Sequence, residues 1–184
     1  MKHPTGHTLC RTFMTMALAL LSIPPTAWAA DLTVTMRKAT QDGTGATIGT
    51  VVIDDGETGA SLKLDLHGLP PGSHGFMVHE NGSCDPIMMN GVRIPGGAAG
   101  GAFDPNHTYK HAGPTGEGYL GDLPAVDVED NGSARQTLTA PRIKDISALK
   151  GRSLVIHTGG DTYSDSPSPM GGMGARIACG VIGS

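Results

Sequence analysis

Leu32, Val34 and Met36 alternate with Asp31, Thr33 and Thr35, and Leu62, Leu64 and Leu66 alternate with Ser61, Lys63 and Asp65. A period of two puts every second side chain on one face of a strand, so each stretch reads as a strand with one face in a core. Further short candidates lie at 51–53, 76–79, 125–128, 136–139 and 154–157. Asp42-Gly43, Asp55-Gly56 and Asn131-Gly132 supply the turn chemistry that separates them. No long amphipathic helix is visible, only a turn or two at 144–150. The pattern predicts an all-β antiparallel sandwich or flattened barrel.

Two stretches do not fit strands. Residues 82–118 and 159–175 are rich in Gly, Pro, Asn and Ser and far longer than a hairpin requires. Long loops in a compact domain are functional or disordered. The Cys84 tether and the cluster of His and Asp residues favour function.

The first thirty residues have another character. Lys2 and Arg11, an apolar run at 13–23 and a small-residue end at Ala27-Trp28-Ala29 have the layout of a secretory signal peptide. The run is short for a bilayer span. Domain organisation is therefore read as a signal peptide over 1–30 and a single domain over 31–184, with no membrane attachment after cleavage. Without Lys2 and Arg11 the chain carries 11 basic against 17 acidic residues, a net charge of −6. That argues against nucleic acid as a partner, which requires a positive surface.

Export also bears on the cysteines. Cys10 falls in the signal, leaving Cys84 and Cys179 in an oxidising compartment. A bridge between them closes a loop near 100 residues, stabilising by roughly 4–5 kcal/mol in the chain-entropy account. A thiolate pair serving a metal is the alternative, but neither cysteine has C-x-x-C spacing.

The segments HGFMVHENGSC (74–84), GGAAGGAFDP (96–105), KHAGP (110–114), GYLGDLP (118–124), LVIHTGGD (154–161) and GARIACGVIG (174–183) follow in that order. This series resembles the copper,zinc superoxide dismutases of the bacterial periplasm. The resemblance implies a Greek-key β-sandwich with two long loops, a Cys84–Cys179 disulfide and a periplasmic location. It also implies a metal site with several ligands replaced. The family's H-x-H strand corresponds to Met77-Val78-His79, and its late-strand copper histidine to His157. Its bridging histidine falls on Ala102. Copper is therefore expected on His79, His157 and the Met77 thioether. Imidazole with thioether suits soft Cu(I), whereas Cu(II) prefers several nitrogen or oxygen donors. Methionine is also a good filler of irregular gaps, which is the plain alternative for Met77.

Of the family's zinc ligands, Ala102 and Tyr119 are replacements, leaving His111 and Asp122. Two ligands fall short of a closed tetrahedral set, so no zinc of the usual kind is expected. His107 and Glu117 lie in the same loop but not on ligand positions. His111 and Asp122 are expected to form a hydrogen-bonded pair that holds the loop. Asp161 matches the carboxylate that orients histidines on both metals, and Arg176 the arginine that guides superoxide to copper. Arg176 could equally bond loop carbonyls. His74 matches a structural residue tying loops together. Met88, Met89, Met170 and Met173 sit in the two long loops, a distribution suggestive of soft-metal handling.

The leading expectation is a periplasmic superoxide-dismutase-like copper protein with weak or absent dismutase activity. Its role would be copper storage, delivery or tolerance, with a copper donor or acceptor protein as partner. A copper-only superoxide dismutase and a metal-free interaction module on the same fold are the alternatives.

Overall fold

The computed structural model of the chain describes Met1 and residues 31–183. The expected signal peptide and Cys10 lie outside the described residues. Eleven strands follow: β1 (Leu32–Thr40), β2 (Gly43–Gly56), β3 (Gly59–Leu66), β4 (Gly72–His74), β5 (Phe76–His79), β6 (Ile87–Met89), β7 (Val92–Ile94), β8 (Val126–Val128), β9 (Ala134–Ala140), β10 (Ser153–His157) and β11 (Arg176–Val181). Among the described residues, helical structure is confined to short 3-10 turns, including Ile146–Leu149, where Asp145 caps the Ser147 amide at 2.8 Å.

Seven strands form one antiparallel sheet in the order β5-β10-β11-β1-β2-β3-β9, with β4 paired to β8 and β6 to β7. The first strand therefore lies beside the last, and β10 runs between β5 and β11. The sheet curls around a single core. Val34 and Met36 of β1, Leu62 and Leu64 of β3, Phe76 and Val78 of β5, and Leu154 and Ile156 of β10 all contribute to it. The alternation read in β1 and β3 is what drives this: each inward residue removed from water contributes about 1.5–3 kcal/mol.

Alternation also decides which residues face away from that core. Phe76 and Val78 enter it, so Met77 and His79 point to the other face of β5. Across the ladder Met77 pairs with Val155 and His79 with Ser153. Over this face lies a smaller cluster of Cys84, Ala99, Val155 and Cys179, closed by the Cys84–Cys179 disulfide with Cα atoms 5.7 Å apart. The disulfide thus fastens the 82–118 loop against the strands that carry the site.

That loop is more regular than expected. β6 and β7 form a hairpin inside it, turned by Asn90 (φ 49°) and Gly91 (φ 78°). Both central residues have positive φ, the geometry that Asn-Gly supplies in a type I′ turn.

Candidate metal centre

His79 and His157 are the last residues of the antiparallel strands β5 and β10 and lie toward opposite ends of their ladder, yet their rings approach with Nε2 atoms 3.4 Å apart. His79 Nδ1 donates to the Gly100 carbonyl at 2.9 Å and His157 Nδ1 to the Gly174 carbonyl at 3.0 Å. A carbonyl only accepts, so each ring carries its proton on Nδ1 and presents a bare Nε2. Burial holds His79 down to about 3, helped by the positive charge of Arg176. Burial likewise lowers His157. Both rings are neutral at pH 7, and neither Nε2 has a proton to offer the other. Two lone pairs converging at 3.4 Å are unfavourable unless something electropositive lies between them.

Two bonds of about 2.0–2.1 Å, usual for an imidazole on a metal, can span that gap when bent. The pair fits a small cation. Met77 is fully buried on the same strand face, two residues from His79, and has an isolated β-bridge to Asp122. It lies outside the residues lining the adjoining cavity. Ala102 is bridged to His79 and carries no donor.

The histidines open into a cavity of about 620 Å³, lined by residues of both long loops. Met89, Met170 and Met173 line it; Met88 does not. Arg176 lines it too, with Nη1 donating to Gly96 O at 2.7 Å and Nη2 to Gly100 O at 2.6 Å. Its guanidinium thus bonds loop carbonyls and borders the cavity at once. The Gly100 carbonyl accepts from both Arg176 and His79, which locks cation and histidine to one peptide.

The second cluster is built differently. His111 Nδ1 donates to Asp122 Oδ1 at 3.0 Å, and Nε2 donates to Asp161 Oδ1 at 2.7 Å. Asp122 Oδ2 also accepts the amides of Ala112 and Gly113, at 3.0 and 2.9 Å. Burial alone would discharge this ring, but the two carboxylates outweigh it and push His111 up to about 10. The ring is an imidazolium clasped between two buried carboxylates. Asp161 Oδ2 is buried without a partner, and its Oδ1 also accepts the Tyr163 amide at 2.7 Å.

His107 and Glu117 do not join this pair. His107 is exposed, with Nδ1 3.5 Å from the Tyr109 hydroxyl, and Glu117 is exposed as well. Among the described residues, no three His, Cys, Asp or Glu side chains gather where they could hold one ion. Tyr119 borders the cavity on one side and, on the other, a smaller one of about 240 Å³ that also takes in Asp104 and His107. The residues present do not fit a tetrahedral zinc ion.

His74 bonds the His157 carbonyl at 2.7 Å and the Pro70 carbonyl at 2.8 Å, tying a loop to β10. Sequence reasoning missed Asp165, which accepts the His111 amide at 2.8 Å and the Met170 amide at 3.1 Å, joining the two loops. It missed the Gly100 and Gly174 carbonyls too. No local pattern marks such residues, because their partners are distant in the chain.

A curled antiparallel sheet with a histidine pair under two long loops defines an all-β protein of the superoxide dismutase type. The sequence profile described as copper/zinc superoxide dismutase matches residues 47–182. The chain is 47% identical over 169 residues to the Cu-Zn superoxide dismutase 2 of Salmonella typhimurium, covering 92% of this chain and 98% of that protein. It superposes on the Cu/Zn superoxide dismutase from Brucella abortus with a TM-score of 0.82 at 47% identity, over 83% of this chain and 99% of that one. A superoxide-dismutase-like protein from Bacillus subtilis matches at TM-score 0.63 and 26% identity, over 82% of this chain and 97% of that one. The chain belongs to the copper/zinc superoxide dismutase family, which implies copper and zinc as the metals of its members.

Proposed function

We propose that this chain is an exported, periplasmic copper-binding member of the family, with an altered His/Met site and dismutase turnover that is weak or absent. The observation that carries the reading is the His79–His157 pair, neutral and convergent through Nε2, beside a cavity with three thioethers in its wall. His79 and His157 would hold copper, with Met77 beneath them as the thioether on the same strand face. Two neutral imidazoles and a thioether favour Cu(I) over Cu(II). Zinc is left out, because with Ala102 and Tyr119 at two of the family's ligand positions, His111 and Asp122 alone fall short of a closed tetrahedral set. The role is copper storage, delivery or tolerance, with a copper donor or acceptor protein as partner.

Copper in this family supplies the electron exchanged with superoxide. That exchange uses both oxidation states, and a site biased to Cu(I) supports it poorly. Copper-loaded mature protein is expected to consume superoxide at least 100-fold more slowly per copper than the Salmonella relative. A comparable rate would sink the reading and favour a copper-only dismutase. Arg176 at the cavity wall is what keeps that second reading alive, since a fixed positive charge there would draw an anion inward.

A further inference from the structure

The methionines of the cavity are not equivalent. Met173 is fully buried and packs over Gly75, where an added Cβ would collide with its Sδ. Met89 lines the cavity from the β6–β7 hairpin, yet 53% of its surface is exposed. Met170 lines it from the 159–175 loop, held at φ 53° and ψ 41°. A non-glycine residue rarely occupies that left-handed region unless its surroundings impose it. Here the Asp165 carboxylate, which also grips His111, accepts the Met170 amide at 3.1 Å.

His79 and His157 are 3% and 7% exposed. Depth therefore separates two donor sets within one cavity, with nitrogens at its floor and thioethers from two different loops toward its solvent edge. Ile87, Ile94 and Pro95 supply apolar wall to the same cavity.

We propose that Met89 and Met170 form a second, weaker station at the mouth of the cavity for a soft monovalent cation, Cu(I) or Ag(I), on its way to or from the histidines. This rests on the copper reading of the histidine pair. Thioethers bind soft ions and ignore hard ones such as Ca²⁺ and Mg²⁺. They are neutral at every pH, so protons do not compete with the ion. Charge points the same way: a divalent ion feels the Arg176 guanidinium twice as strongly as a monovalent one. Met88, adjacent in sequence and 64% exposed, is turned away from the cavity, and serves as an internal control.

The test is a titration of the mature, disulfide-oxidised protein with Ag(I), which is redox-inert, followed by NMR on labelled methionine methyls and histidine rings. Six methionines fall after residue 30, so the spectrum is assignable. The His79 and His157 signals are expected to saturate with the first equivalent. The Met89 and Met170 methyls are expected to shift with the second, while Met88 stays still. In Met89→Leu/Met170→Leu, where side-chain volume is kept, the second equivalent is lost and the first is retained. Methyls that move no more than Met88 would overturn the mouth station. So would methyls that move together with the histidines, which would mean one mixed site. Histidines that fail to respond while Met89 and Met170 do would overturn the copper reading instead, leaving the thioether pair standing.

Discussion

The Nε2 atoms of His79 and His157 stand 3.4 Å apart, each ring held by a backbone carbonyl at its other nitrogen. The strands bring the rings together, and the carbonyls of Gly100 and Gly174 choose the tautomer. Either ring alone leaves one donor. His157→Ala is therefore expected to weaken Cu(I) binding at least 100-fold while leaving the fold intact, as judged by circular dichroism and chelator competition. An unchanged affinity would place copper elsewhere.

His111 holds two buried carboxylates in the way a metal would. Removing it leaves Asp122 and Asp161 without their counter-charge, so His111→Ala is expected to cost about 3–5 kcal/mol, the usual penalty for breaking a buried pair. Urea denaturation measures it. Wild-type stability should also be indifferent to a zinc chelator, and a large loss on chelation would show that a metal does the work assigned to the imidazolium.

The same ring sets a pH dependence. Its folded-state value, about 10, lies above the ordinary histidine value of 6.5. Stability from a raised group is fully present below the unfolded value, declines as pH rises, and is gone above the folded one. The stability gap between wild type and His111→Gln is therefore expected to shrink steadily from about pH 6.5 to about 10. Denaturation curves for both proteins at pH 7 and pH 10.5 check this, and a gap of equal size at both would contradict it.

The disulfide couples stability to the site. Cys84 and Cys179 pack with Ala99, next to the Gly100 carbonyl that bonds both His79 and Arg176. Replacing both cysteines by serine is expected to cost about 2–5 kcal/mol. Cu(I) affinity should fall as well, because the loop that orients His79 is loosened. Chelator competition on the folded fraction separates the two effects; a loss of stability with unchanged affinity would show that Gly100 holds its place unaided.

Much of this was legible in the sequence, for identifiable reasons. The alternating residues of β1 and β3 gave their faces away, and Met77-Val78-His79 placed residues 77 and 79 together because a strand has period two. Strand β11 was read only as a motif. Its Ala178, Cys179 and Gly180 are all buried, so a strand running between two neighbours shows no alternation. The β6–β7 hairpin was passed over inside a glycine-rich stretch, although Asn90-Gly91 is a strong hairpin signal. The partners of His111 are partly visible: Asp122 pairs with it in the sequence reading, whereas Asp161 is read there only as a carboxylate that orients histidines. Their clasp around one ring depends on the 95–125 and 158–175 connections meeting. Likewise nothing in the sequence separates Met88 from Met89. Only the hairpin register turns one toward the cavity and the other away.

The decisive measurement is an anaerobic Cu(I) titration of the disulfide-oxidised protein against a competing chelator, with Met77→Leu alongside. Tight one-to-one binding that weakens in the variant is the predicted result. Absence of competition with the chelator would contradict it, leaving a family member that keeps the barrel, the disulfide and the carboxylate clasp but has no copper site.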